Sequence, residues 1–187
     1  LMKQSLNVVY ITLELSEEVV AKRFDSMFTN IAQQDLLKNI TKASIEIKKQ
    51  ASSYGNLVIK RMPESSTTAN HIRAYLKEYE IMMGRLPDAL VVDYMDLMAS
   101  NHQISAENQF IRDKFISEEL RSIANEYNLI MITASQLNRS SQMLESMEDL
   151  SQAHIAGGIS KVNTTDNLVA IMQSASMKAR NEMMFKL

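Results

Sequence analysis

Three polar residues stand where apolar segments of the sequence end, and their side chains could take part in the hydrolysis of a nucleotide. Glu14 and Asp93 each follow directly on an apolar run, and Gln136 lies just beyond a third. A carboxylate after a strand can hold Mg²⁺ through water, a second can accept a proton from an attacking water, and an amide can contact a terminal phosphate. Polar residues also mark the ends of strands at the water boundary, and a single residue of this kind is more often of that type.

Alternating segments of the chain predict the elements that would bring these side chains together. Compact apolar runs are typical of buried strands, and segments with apolar residues at helical spacing lie between them. Strands are predicted at residues 8–13, 57–62, 89–93, 129–134, 167–173 and 182–187. Helices are predicted after Ser16 and over residues 41–54, 68–83 and 105–127, the last with Ile111, Phe115, Leu120, Ile123 and Tyr127 inward. Apolar strands that alternate with helices favour an α/β fold with a mainly parallel sheet flanked by helices on both faces.

This topology would place the three polar residues at one edge of the sheet. Parallel strands have their carboxyl ends on the same edge, where open α/β sheets bind their ligands. Two long polar segments, residues 96–109 and 137–166, begin at that edge. The sequence therefore predicts a ligand site at Glu14, Asp93 and Gln136.

Composition narrows the class of protein. The chain has 187 residues, of which 45% are hydrophobic, and suits one globular domain with a sizeable core. The lack of Cys excludes a disulfide framework and a thiolate zinc site, and it favours a reducing, intracellular setting. No apolar run approaches the roughly 18 to 20 residues of a membrane span. The net charge of −2 argues against a strongly basic surface for nucleic acid but leaves room for a few basic residues on loops.

Four segments resemble the motifs of DnaB-type replicative helicases, with those of phages the most similar. Residues 91–98 (VVDYMDLM) resemble the Walker B segment, and residues 132–140 (ITASQLNRS) resemble the strand that ends in the sensor glutamine. Residues 9–18 (VYITLELSEE) resemble the strand with the catalytic glutamate, and residues 154–166 (HIAGGISKVNTTD) resemble the loop before the next strand. The segments keep the family's order and spacing over roughly residues 7–173.

The resemblance implies a RecA-like ATPase core and a role for each residue. Glu14 would polarise the attacking water, Asp93 would hold the magnesium ion through water, and Gln136 would report the γ-phosphate to the DNA loops. ATP and Mg²⁺ are the implied cofactors. The intact protein would be a hexameric helicase in the cytoplasm of a bacterium or phage-infected cell, coupling ATP hydrolysis to translocation on single-stranded DNA and duplex unwinding. The resemblance leaves room for a primase and a helicase loader as partners.

The same resemblance places DNA contacts on two loops, which would lay backbone amides, small polar groups and a few basic side chains against phosphates. The residues implied are Asn138, Arg139 and Ser140 on one loop, and Gly157, Gly158, Ser160 and Lys161 on the other.

The sequence departs from the family at the phosphate loop. No Gly-x-x-x-x-Gly-Lys-Ser/Thr segment occurs, and the chain has only four Gly residues. Residues 1–7 resemble the end of the helix that follows such a loop. We therefore expect residues 1–187 to be a fragment of a single RecA-like domain, an incomplete P-loop NTPase core truncated at both ends and inactive by itself.

Two other interpretations stay open. A non-catalytic assembly or binding module on a degenerate RecA-like fold would also lack the phosphate loop, although the presence of Glu14, Asp93 and Gln136 argues against it. A recombinase or repair ATPase similar to RecA would share Asp93 and Gln136, but the QLNRS run at residues 136–140 favours the helicase.

Overall fold

A four-stranded parallel sheet is the centre of the fold. The computed structural model describes residues 1–105, 107–138 and 159–187, with the backbone alone at residues 159, 160 and 175. Its main strands are β1 (Val8–Thr12), β2 (Leu57–Arg61), β3 (Ala89–Asp93) and β4 (Ile130–Thr133), in the order β2-β1-β3-β4. The long helices are α1 (Glu17–Thr29), α2 (Ile40–Ala51), α3 (Ala69–Met83) and α4 (Gln109–Tyr127). The predicted α/β class with a parallel sheet is confirmed.

Local sequence signals account for several helix ends. The Ser16 side chain accepts a hydrogen bond from the Val19 amide at the start of α1, and two glutamates lie in its first turn, where the positive end of the helix dipole favours them. Gly84 ends α3 at φ 68°, a left-handed conformation that glycine adopts without a steric penalty. Helix α2 ends at Ala51, before the predicted Tyr54, and helix α4 begins at Gln109 rather than at Ser105.

Helices cover the two faces of the sheet unequally. Side chains alternate along a strand, so Val9 and Ile11 point to one face and Tyr10 points to the other. Val9 and Ile11 are fully buried in a core cluster to which α3 and α4 contribute. Tyr10 packs edge-on against Phe24 of α1, with ring centres 5.5 Å apart.

At the β4 end of the sheet, part of the Tyr10 face is exposed. Register aligns Tyr10 with Val91, and Val91 with Ile132. Ile130 and Ile132 are 47% and 40% exposed. Within the described residues, β4 is an edge strand with an apolar face that is partly open to solvent.

The buried stripe of α4 differs from the predicted one. The structure buries Leu120 and Ile123 as expected, but Ile111 is 43% exposed. Asp113 and Ser117 are buried in its place. Both polar residues have partners on the segment after residue 158. The buried face of α4 therefore contains polar as well as apolar side chains, which apolar periodicity alone does not predict.

The last part of the chain lies outside the main sheet. Strands β5 (Ala170–Met172) and β6 (Met184–Lys186) form a separate antiparallel pair, with α5 (Ile159–Asn163) before them and α6 (Ala175–Ala179) between them. The connection between the strands is shorter than the dozen or more residues that a parallel crossover requires. None of the helices in the described ranges is long and apolar enough to cross a bilayer.

Candidate active site

A tight turn places Glu14 just beyond the end of β1. The Thr12 hydroxyl accepts a hydrogen bond from the Leu15 amide at 3.1 Å and donates one to the Leu15 carbonyl at 3.0 Å. The Leu13 amide donates to the Asp93 carbonyl at 3.0 Å, which extends the pairing of β1 with β3 by one residue. Glu14 is therefore presented in the exposed turn between β1 and α1.

Asp93 ends β3 and is half-buried beside Tyr10. The Tyr10 hydroxyl donates a hydrogen bond to Oδ2 of Asp93 at 2.5 Å. Burial raises the pKa of Tyr10 above its usual value, and the hydrogen bond and negative charge of Asp93 add to the increase. The hydroxyl therefore stays protonated and fixes one carboxylate oxygen of Asp93.

The Tyr94 side chain contacts Gln136 and lies within the electrostatic influence of both carboxylates. The Gln136 side-chain amide donates to the Tyr94 hydroxyl at 3.0 Å. Burial raises the pKa of Tyr94, and the charges of Glu14, Asp96 and Asp93 are further causes of the increase. The parallel register of β1, β3 and β4 brings Glu14, Asp93 and Gln136 to the same edge of the sheet.

Asp96 holds the chain segment from which Gln136 projects. Its Oδ2 accepts the Gln136 backbone amide at 2.9 Å, and its two oxygens accept the Ser135 hydroxyl at 3.2 and 3.1 Å. The Met95 amide donates to the Thr133 hydroxyl at 3.2 Å, which in turn donates to the Val92 carbonyl at 2.8 Å. These bonds tie the end of β4 to the segment after β3.

Lys161, one of the predicted DNA contacts, is buried and ion-paired in this structure. Its side chain is only 5% exposed, and the ammonium pairs with Asp96 and, at 3.2 Å, with Oδ2 of Asp113. It belongs to the short helix α5 rather than to an open loop. The buried Asp113 and the half-buried Asp96 thus provide the partners for its charge in this structure, and a DNA contact of Lys161 stays a prediction.

Most of the other predicted DNA contacts lie outside the described residues. These are Arg139, Ser140, Gly157 and Gly158. Asn138 is half-buried at the end of the described segment after β4, and Ser160 is described by its backbone in α5.

Sequence reasoning missed four side chains that shape this edge: Tyr10, Tyr94, Asp96 and Asp113. Tyr94 and Asp96 stand inside the Walker B-like segment, next to Asp93, so their proximity in sequence was an available signal. Tyr10 and Asp113 carry no such signal, since their partners Asp93 and Lys161 lie far away along the chain.

The donors at this edge are compatible with Mg²⁺ but not with a metal site built from protein alone. Among the described residues no group of three His, Cys, Asp or Glu side chains converges. Mg²⁺ usually keeps several waters and takes one or two carboxylates together with phosphate oxygens. Asp93, half-buried at a strand end with one oxygen held by Tyr10, fits such a role.

Comparison with protein families gives a match over nearly the whole chain. The profile of the DnaB-like helicase C-terminal domain matches residues 1–179. A DnaB-like replicative helicase of Enterobacteria phage T4 is 28% identical over 186 residues, which are 96% of this chain and 38% of the relative. A replicative DNA helicase DnaB of Helicobacter pylori is 30% identical over 159 residues, or 81% of this chain and 31% of the relative. The chain thus spans less than two-fifths of these curated relatives.

Solved structures share the fold at low sequence identity. A DnaB-like replicative helicase, described with its interactions with primase, has a TM-score of 0.73 at 15% identity and covers 97% of this chain and 43% of that one. A second solved structure, that of an ATPase domain, has a TM-score of 0.68 at 18% identity and covers 94% of this chain and 62% of that one. At these identities the likeness is one of fold.

Proposed function

The chain belongs to the DnaB-like helicase C-terminal domain family, and from this premise we propose that it forms part of the ATP-driven motor of a hexameric replicative helicase. The motor moves along single-stranded DNA and unwinds the duplex. The observation that carries the proposal is the grouping of Glu14, Asp93 and Gln136 at the carboxyl ends of three adjacent parallel strands.

Each of these side chains has a role that suits its surroundings. Glu14 lies exposed in the turn after β1 and accepts a proton from the attacking water, as a general base does. The Oδ2 of Asp93 accepts the hydrogen bond from Tyr10, and the Asp93 carboxylate would hold Mg²⁺ through water. Gln136 lies at the same edge, hydrogen-bonded to Tyr94, and would contact the γ-phosphate of ATP. When bound, Mg²⁺ supplies charge neutralisation at the phosphates.

The site needs a phosphate-binding segment that residues 1–187 do not contain. Backbone amides of a Gly-rich loop and a lysine cradle the phosphates in P-loop enzymes. We propose that the chain is a fragment of one RecA-like domain and that the strand before this loop pairs with β4. The exposed Ile130 and Ile132 on β4 support this placement, since such a strand and its helix would cover them.

The proposed DNA contacts follow Gln136 along the chain. They are Asn138, Arg139 and Ser140, and the group Gly157, Gly158 and Ser160. Lys161 belongs to the same predicted set, and its ammonium would have to leave Asp96 and Asp113 to reach a phosphate. Six copies of the domain would share one strand, so that few contacts per copy are needed. Primase and a helicase loader are further partners of the intact protein, in the cytoplasm of a bacterium or phage-infected cell.

The coding sequence before the Leu1 codon provides a first test. We expect a Gly-Lys-Ser/Thr segment in the strand-loop-helix unit that precedes residue 1. A start codon in its place would favour the non-catalytic module.

An activity assay on the complete polypeptide provides the second test. We expect it to unwind a forked duplex in the presence of ATP and Mg²⁺, and to hydrolyse ATP faster when single-stranded DNA is added. ATP hydrolysis without unwinding would favour a recombinase or repair ATPase. The absence of both activities would favour the non-catalytic module.

A further inference from the structure

The most deeply buried charged group of the described segment after residue 158 is the ammonium of Lys161. It lies between two carboxylates that come from different parts of the fold, Asp96 after β3 and Asp113 on α4. It also donates a hydrogen bond to the Ser135 hydroxyl at 3.0 Å. Lys161 therefore joins α5, α4 and the ends of β3 and β4 at one point.

The charges of this cluster are balanced. Asp113 is 2% exposed, and its Oδ1 also forms an ion pair with Arg112, at 3.2 Å from Nη2. Two cations thus face two carboxylates, Asp96 and Asp113. The desolvation of a buried ion pair is costly, and the attraction between its charges and the hydrogen bonds around them must offset that cost.

Asp96 is the member of the cluster that acts on Gln136. One of its oxygens pairs with Lys161, and the other accepts the Gln136 backbone amide at 2.9 Å. The Ser135 hydroxyl bonds to the same carboxylate. With both oxygens engaged, the carboxylate has little freedom to rotate, and the backbone at residue 136 is held with it.

Helix α5 is itself fastened to α4, so Lys161 approaches from a fixed support. The Ser117 and Thr164 hydroxyls are hydrogen-bonded to each other. Arg121 donates to the Thr164 carbonyl at 2.8 Å and pairs with Asp166 at 3.1 Å. The residues between Gln136 and α5 include the proposed DNA contacts, so Lys161 stands at the far end of that segment from the sensor.

We propose that Lys161 is a positioning residue that holds the sensor Gln136 in place through the carboxylate of Asp96. Its importance for ATP hydrolysis rests on the proposed function, but the positioning itself does not. Without the ammonium, Asp96 would lose its fixed orientation and the Gln136 amide would lose a stable acceptor.

Hydrogen exchange of the Gln136 amide in the 187-residue chain measures this positioning directly. We compare wild type with Lys161→Met, with the double variant Lys161→Met/Asp113→Asn, and with Lys114→Met as the matched control. Lys114 lies on the exposed side of α4 and pairs only with Glu118 among the described residues. The double variant removes one cation and one carboxylate, so it keeps the cluster neutral and guards against a general loss of stability.

The Gln136 amide should exchange about 10-fold faster or more in both Lys161 variants, as for the loss of a hydrogen bond to a charged group. Exchange at Val9 and Ile11 in the sheet core should stay at the wild-type rate in the double variant, and Lys114→Met should match wild type at every site. Wild-type exchange at Gln136 in the double variant would overturn the proposal. An equal acceleration at Val9, Ile11 and Gln136 in the double variant would also overturn it, because it would indicate a structural role alone.

A second measurement addresses the reaction in the complete polypeptide. The double variant should lower kcat for ATP hydrolysis by about 10-fold with little change in KM, because the sensor acts on the phosphate after ATP has bound. A wild-type polypeptide without hydrolysis would refute the proposed function, whereas the exchange result would still decide whether Lys161 positions Gln136. Unchanged kcat with accelerated exchange would overturn the importance of this positioning for hydrolysis.

Discussion

The hydroxyl of Tyr10 on β1 donates a hydrogen bond to the carboxylate of Asp93 at the end of β3, with 2.5 Å between the two oxygen atoms. Neighbouring parallel strands bring the two residues together, since β1 and β3 pair in register from Val8 with Ala89 to Thr12 with Asp93. The bond places an uncharged donor next to the carboxylate that we assign to magnesium, and it holds that carboxylate before any ion arrives.

Tyr10→Phe should change how stability depends on alkaline pH. The pKa of Tyr10 is raised in the folded protein, so the folded chain keeps a proton that the unfolded chain releases above its usual pKa of about 10. The resulting contribution to the free energy of unfolding is fully present below about pH 10 and declines as the pH rises further. Urea unfolding at a series of pH values from about 9 to 11 should therefore give a shallower decline for Tyr10→Phe. Equal declines in the two proteins would contradict the raised pKa.

Glu14→Gln in the complete polypeptide should separate catalysis from binding. Gln keeps the size of the side chain but cannot accept the proton of water, so kcat should fall by about 10²-fold or more while the Kd for ATP stays nearly unchanged. Glu118→Gln, an exposed change on α4, serves as the control and should keep wild-type turnover. Wild-type turnover in Glu14→Gln would remove Glu14 from the catalytic role.

Asp93→Asn should instead weaken the magnesium-dependent part of nucleotide binding.

Residues 1–187 by themselves should not hydrolyse ATP. They contain no Gly-Lys-Ser/Thr loop to enclose the β- and γ-phosphates. Steady-state release of phosphate from Mg-ATP checks this expectation. Turnover that Glu14→Gln abolishes would show that the chain binds phosphate without such a loop.

The exposed edge at β4 should make the isolated chain self-associate. Unpaired strand edges with apolar side chains are templates for pairing with another copy. Static light scattering should give a mass above that of the monomer, and Ile132→Lys should reduce it because a charge on an edge strand discourages pairing. Ile81→Lys, on the exposed side of α3, is the control and should leave the mass unchanged. A monomeric wild-type chain with a cooperative thermal transition would count against an unpaired edge at β4.

Arg139 and Lys161 should respond differently in DNA binding by the complete polypeptide. A phosphate contact contributes about one unit to the slope of log K against log salt concentration, so Arg139→Ala should lower that slope by about 1 across all sequences. Lys161→Ala should leave the slope unchanged, because the ammonium is buried between Asp96 and Asp113. It should instead lower the free energy of unfolding by about 3 to 5 kcal/mol, as for the loss of one partner of a buried ion pair. A lower slope in Lys161→Ala would indicate that DNA draws Lys161 out of its cluster.

Much of the fold and part of the site follow from the sequence alone. The sequence predicts strand β3 with the bounds that the structure has, and it predicts the Ser16 cap and the Gly84 end of α3 from residues whose preference is local. The three polar residues at strand ends need only one further assumption, that the strands are parallel. Local propensity and apolar periodicity depend on residues that are close together in the chain, so they can be recognised in the sequence alone.

The partners of those residues were decided by tertiary structure. Lys161 and Asp96 are 65 residues apart in the chain, and nothing near either residue indicates that the ammonium is buried rather than exposed on a loop. The same holds for Asp113, which is buried on α4, whereas Ile111 of the predicted apolar stripe is exposed. A buried charge is tolerated only where a distant segment brings the opposite charge. Such pairs depend on the order of strands and the placement of helices, so the packing of the whole chain determined them and the sequence pattern did not.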